Sequence, residues 1–101
     1  MLNSVQQIKW EILSYMKEFG GEFGDYYVGI AADPKRTLSE IHNVDMEKDP
    51  WLYKQALSFT AARTVQRFFI DRLHVDGTSI LEGNEETDCV YVYKKSARTR
   101  P

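Results

Sequence analysis

The chain reads as a small α+β domain in which a three-stranded, mainly antiparallel sheet is packed with helices. Three observations predict this. Apolar residues recur at helical spacing over residues 4–19 and 60–73. Short runs rich in β-branched and aromatic residues stand near residues 26–30, 51–58 and 90–93. The order helix, strand, helix, strand, helix, strand then layers sheet against helix around a single core. A length of 101 residues with 43% hydrophobic content supplies that one core and no second domain, so residues 1–95 form the domain and 96–101 a loose basic tail.

Each element follows from local chemistry. Ser4 is placed to cap a helix whose stripe is Val5, Ile8, Ile12, Tyr15, Met16 and Phe19. Gly20-Gly21 ends it, because glycine relieves left-handed strain at a helix C-terminus. The next strand begins near Asp25 or Tyr26, with Tyr26 and Tyr27 pointing to opposite faces. Asp33-Pro34 opens a short helix through Ile41, aspartate as cap and proline at the first helical position. The polar run Asn43–Pro50 breaks periodicity and reads as a loop before a strand over Trp51–Ser58. Thr60 is the predicted cap of a second long helix, to about residue 73, with Ala62, Val65, Phe68, Phe69 and Leu73 as its apolar stripe. Residues 76–88, with Gly77, Gly83, Asn84 and five acidic side chains, read as a mobile loop before a last strand at Val90–Tyr93.

Composition excludes several classes of function. A net charge of −2 and a pI near 5.6 rule out a protein that relies on overall attraction to nucleic acid, so any such surface is local. Cys89 has no partner for an internal disulfide and belongs to a strand, where burial is the expected state. No apolar run approaches the roughly 20 residues that span a bilayer, and no signal peptide is recognisable, so no membrane association and a cytoplasmic location are expected.

The run Tyr26-Tyr27-Val28-Gly29-Ile30, followed by the Asp33-Pro34 helix, His42-Asn43, the Trp51-x-Tyr53 strand and the Ala61-Ala62-Arg63 helix, resembles the GIY-YIG nuclease fold over residues 26–73. The family's first, tyrosine-bearing strand has no counterpart upstream of Tyr26. The resemblance therefore implies a permuted arrangement, with Val90–Tyr93 pairing against Tyr27-Val28-Gly29 in its place.

Chemistry in that family needs tyrosines near the attacking water, an arginine toward the phosphate and a glutamate that holds a divalent ion. Tyr27 matches the family tyrosine, but Thr37 stands at the arginine position and Gln66 at the glutamate position. The catalytic candidates that remain are Tyr27, Arg36 and His42. Arg36 lies one residue and about 100° of helix from the aligned position. The candidate binding residues are Tyr27, Lys35, Arg36, Arg63 and Arg67, which make one basic stripe if the two helices lie side by side.

The resemblance, with two charged roles missing, implies a catalytically impaired, nuclease-like binding or regulatory protein that inhibits a nucleic-acid-processing complex. Its size is compatible with a phage-type or anti-defence factor. It would use no cofactor and no metal, and would take a protein or ribonucleoprotein partner, with nucleic acid as a second candidate ligand. The alternative is an active endonuclease that uses Mg or Mn, with Arg36 in place of the usual arginine. A shared pocket containing Tyr27, Arg36, His42 and a nearby carboxylate favours the enzyme, whereas a filled cleft or an exposed apolar patch favours the binding reading.

Overall fold

The computed structural model describes residues 2–78 and 84–101. Leu2–Asn3 form a two-residue strand, β1. The Ser4 hydroxyl then accepts the Gln7 N–H at 3.1 Å and starts helix α1, Val5–Phe19, whose buried stripe is Ile8, Ile12 and Met16. The helix stops where Gly20 and Gly21 take φ of 74° and 88°, backbone that glycine enters without a Cβ clash. The Tyr26 hydroxyl fastens this end by donating to the Gly20 carbonyl at 2.7 Å.

Strand β2 is Tyr26–Ala31. Helix α2 is one turn, Pro34–Arg36, capped by the Asp33 carboxylate and continued by a wider π-helical turn at Thr37–Ile41. Strand β3 is Trp51–Ala56. Helix α3 is Phe59–Arg67, continued by a π-helical turn at Phe68–Arg72, and strand β4 is Cys89–Lys94. The cap of α3 is Ser58, whose hydroxyl accepts the Ala61 N–H at 3.0 Å, so the helix begins ahead of the predicted Thr60. Both residue types cap helices, and the serine two places earlier fills the role.

The α+β class is as the sequence predicts, with a larger sheet than expected. Four strands lie in the order β1-β3-β4-β2, with β3-β4 and β4-β2 antiparallel and β1-β3 parallel, so the sheet is mixed. The additional strand is β1, two residues being too short to show alternation. β4 pairs with β2 as predicted, Tyr93 opposite Tyr27, Val92 opposite Val28 and Tyr91 opposite Gly29.

Strand alternation divides the interior into two cores. On one face Tyr26, Val28, Ile30, Val90 and Val92 meet Ile8, Ile12, Ala62, Val65 and Phe69, which places α1 and α3 there. On the other face Tyr27, Tyr91 and Tyr93 meet Leu38 and Val44, from α2 and the connection after it. Val5 and Leu73, also predicted as core, are partly buried against the first cluster.

Two segments expected to be loose are held. Val75–Thr78 runs beside β2: Val28 N–H donates to Asp76 O at 2.9 Å, Asp76 N–H to Tyr26 O at 3.1 Å, and the Gln66 amide to Val28 O and Thr78 O at 3.3 and 3.0 Å. The centre of the predicted 76–88 loop lies outside the described residues. The tail at 96–101 is likewise docked. Asn43, Asp45, Asp49 and His42 supply polar partners that its composition does not reveal.

Candidate functional site

The second face carries the polar chemistry. Register places Tyr27 and Gly29 of β2 beside Tyr93 and Tyr91 of β4, with Trp51 and Tyr53 of β3 beyond them. The π-helical turn after α2 delivers His42 onto this aromatic floor. Its ring centroid lies 4.6 Å from that of Tyr27, 5.1 Å from Tyr93 and 5.4 Å from Tyr91. Gly29 makes the floor possible, since a Cβ there would overlap the Tyr91 ring.

Hydrogen bonds fix the imidazole. Nδ1 lies 2.6 Å from the Arg100 carbonyl, which can only accept, so Nδ1 carries the proton and donates. Tyr93 Oη, 3.1 Å from the same nitrogen, is the second acceptor of that N–H. Nε2 is then the acceptor and takes the Tyr91 hydroxyl proton at 2.7 Å. Both ring nitrogens are occupied.

Burial reinforces this neutral form. It lowers the His42 pKa from the ordinary 6.5, against the weaker opposing effect of the Arg100 carbonyl. Burial, followed by the neighbouring Tyr27, raises the pKa of Tyr91 and Tyr93 well above that of a free phenol. Neither phenol ionises near neutral pH. Both are hydrogen-bonding partners of His42.

The cluster is closed from above. Tyr27 is 7% exposed and His42 4%, Tyr27 within the aromatic cluster and His42 against residues 96–100, which lie on it as a strap. Arg100 N–H donates to His42 O at 2.7 Å, Asn43 Nδ2 donates to Arg98 O at 2.9 Å, and the Arg98 guanidinium reaches Asp49 at 3.2 Å and Asp45 at 3.8 Å. Thr99 is the one buried side chain of the strap.

Of the predicted site residues, Tyr27 and His42 are brought together. Arg36 is not with them: its guanidinium is exposed and pairs with Glu40. With Lys35 it lines an open groove of about 540 Å3 that also includes Asp33, Ser39, Met46 and Trp51. Arg63 and Arg67 belong to α3 on the opposite face of the sheet, so the single basic stripe does not form. Arg67 pairs with Asp71, and Arg63 lies over the Phe59 ring at 5.9 Å.

A divalent ion does not fit these residues. Gln66 packs on the α3 face, away from Tyr27; its Nε2 donates to two carbonyls, and its buried Oε1 has no hydrogen-bond partner. Among the described residues no three His, Cys, Asp or Glu gather as a metal site, and no helix is long and apolar enough to cross a membrane. Sequence reasoning missed Tyr91, Tyr93, Asn43, Asp45 and Asp49. The spacing of Tyr91 and Tyr93 in a strand, on the same face as Tyr27 once paired, was the available signal for the first two. Comparison with known proteins gives no further identification: no family model matches the chain, and no curated protein or solved structure matches it significantly.

Proposed function

We propose that this chain is a catalytically silent, GIY-YIG-like module that works by binding, as a protein partner that restrains a nucleic-acid-processing complex. The observation that carries the reading is the filled cleft. Tyr27 and His42 lie side by side, yet both imidazole nitrogens are bonded within the protein and the strap is bonded to His42. A phosphodiester meets no free imidazole donor there. The residues that stand in for the family's charged pair support the same reading, since Thr37 bonds back to the Asp33 carbonyl and Gln66 holds the edge of β2.

The test is hydrolysis and capture with the same preparation. The purified protein is incubated with DNA and RNA under magnesium and under manganese, with Tyr27→Phe as the control for contaminating nuclease. No cleavage above that control is expected, and capture from the native host recovers a nuclease or a ribonucleoprotein. Metal-dependent cleavage that disappears in Tyr27→Phe overturns the reading in favour of an active endonuclease.

A further inference from the structure

The strap is bound the way a protein binds a foreign peptide. Its main chain is read at three points: Arg100 N–H by the His42 carbonyl, Arg100 O by His42 Nδ1–H and Arg98 O by the Asn43 amide. None of these depends on a strap side chain, and the strap keeps its own form as a tight turn, Thr99 N–H donating to Ser96 O at 3.3 Å. Specificity comes from one side chain. The Arg98 guanidinium lies between Asp49, whose side chain is 10% exposed, and Asp45, 32% exposed.

The acidic pair is organised independently of that arginine. Asp49 accepts the Asp45 N–H at 2.9 Å, while Asp45 accepts the N–H groups of Glu47 and Lys48 at 3.0 and 3.2 Å. The loop is thus a preformed pocket for a planar cation. Asn43, held at a φ of 57°, turns its amide to the adjacent carbonyl.

The strap contributes little to the core. Ser96, Ala97, Arg98 and Arg100 are exposed, and only Thr99 is buried, turned inward by its bonds with Ser96 N–H and O at 2.9 and 3.1 Å. A segment held by main-chain bonds and exposed charge opens at lower free energy than the packed sheet beneath it. Another peptide of the same form would restore every contact that its departure breaks.

We propose that the cleft formed by His42, Asn43, Asp45 and Asp49 is a peptide-binding site for a turn-forming segment of a partner protein that carries an arginine at the place of Arg98, and that residues 96–100 occupy it as an internal ligand which that segment replaces. This rests on the reading of the protein as a binding module and names the chemistry of its partner. The carboxylates select a basic segment, in keeping with the net charge of −2. The intramolecular strap enjoys a high effective concentration, so the site answers only to a partner that is tightly bound or locally concentrated.

The test uses a fluorescent peptide Lys-Lys-Ser-Ala-Arg-Thr-Arg-Pro, titrated by anisotropy into the full chain. Arg98→Ala loosens the strap and leaves the cleft intact, so it binds the peptide on the order of tenfold more tightly than the unaltered protein, the factor expected from losing charge-assisted hydrogen bonds. Replacing the first arginine of the peptide by alanine, or adding Asp45→Asn and Asp49→Asn to the Arg98→Ala protein, removes that gain. In the unaltered, isotope-labelled protein, excess peptide moves the amide signals of residues 96–100 to disordered positions while those of β2 and β4 stay in place. This second measurement needs no variant to fold.

Absence of peptide binding to a folded Arg98→Ala protein, or binding indifferent to the two aspartates, overturns the proposal. So do strap signals that hold still while peptide saturates elsewhere. A dimer of the unaltered protein that Arg98→Ala abolishes assigns the cleft to a second copy and overturns the foreign partner. Failure here with no nuclease activity removes the peptide site alone, whereas nuclease activity removes the silent-module reading whatever the peptide does.

Discussion

Gly29 and Tyr91 face each other across β2 and β4, and the tyrosine ring fills the space that a side chain at position 29 would need. From that position its hydroxyl reaches His42 Nε2 at 2.7 Å. The glycine is required by the ring opposite it, not by the direction of its own backbone.

Gly29→Ala is therefore expected to destabilise the fold by about 1–3 kcal/mol, the usual cost of overpacking. Urea denaturation measures the loss, and the His42 ring signals move with it because Tyr91 is displaced. Unchanged stability with an unchanged imidazole environment would contradict the close approach.

The histidine sets a pH dependence. Its pKa lies below 6.5 in the folded protein, so between the folded and unfolded values the unfolded chain holds a proton that the folded chain does not. Stability therefore rises with pH through that window and is lost as pH falls from about 6.5 toward the folded pKa. Denaturant midpoints at pH 7 and pH 5 show the fall, and His42→Asn reduces it. A ring titration by NMR places His42 below 6.5, with Nδ1 protonated in the neutral form.

Gln66→Glu places a negative charge in the core, and it is expected to harm the protein. The amide donates to Val28 O and Thr78 O from a site 1% exposed. An ionised carboxylate would face the same two oxygens with no proton to offer. The cost is at least about 2 kcal/mol at neutral pH and smaller in acid, where the carboxyl is protonated. Thermal unfolding at the two pH values checks both the size and the direction.

Phe69 is fully buried between α3 and the sheet. Phe69→Ala is expected to cost about 3–5 kcal/mol, a transfer loss plus a cavity. Calorimetric unfolding with a near-normal midpoint would refute that placement.

Much of the scaffold was legible because period and capping are local. The stripe through Ile8, Ile12 and Met16 identified α1, the stripe through Ala62, Val65 and Phe69 identified α3, and the absence of an upstream partner for Tyr27-Val28-Gly29 led to the pairing with Val90–Tyr93. β1 was not legible, since Leu2–Asn3 is a strand only through its pairing with Gln55 and Ala56. Tyr27 and His42 were found as candidates, whereas their closure was not. The strap's charged and small residues look loose in isolation, and its order comes from Asn43, Asp45 and Asp49, more than 45 positions earlier in the chain. Arg63 and Arg67 illustrate the opposite error: helical spacing fixes the face of a helix but not the side of the sheet on which that helix lies.

The position of β4 has a consequence for how the protein is made. Residues 89–94 run through the middle of the sheet, and the hydrogen bonds of both β2 and β3 are directed at them. Until the ribosome has delivered this strand, β2 and β3 have no common partner, and the apolar faces of α1 and α3 have only a divided sheet to cover. Completion of the sheet is accordingly governed by the search of this one segment for its slot between two waiting strands. In that interval the nascent chain carries unpaired strand edges, the form most open to chaperones and to misassembly.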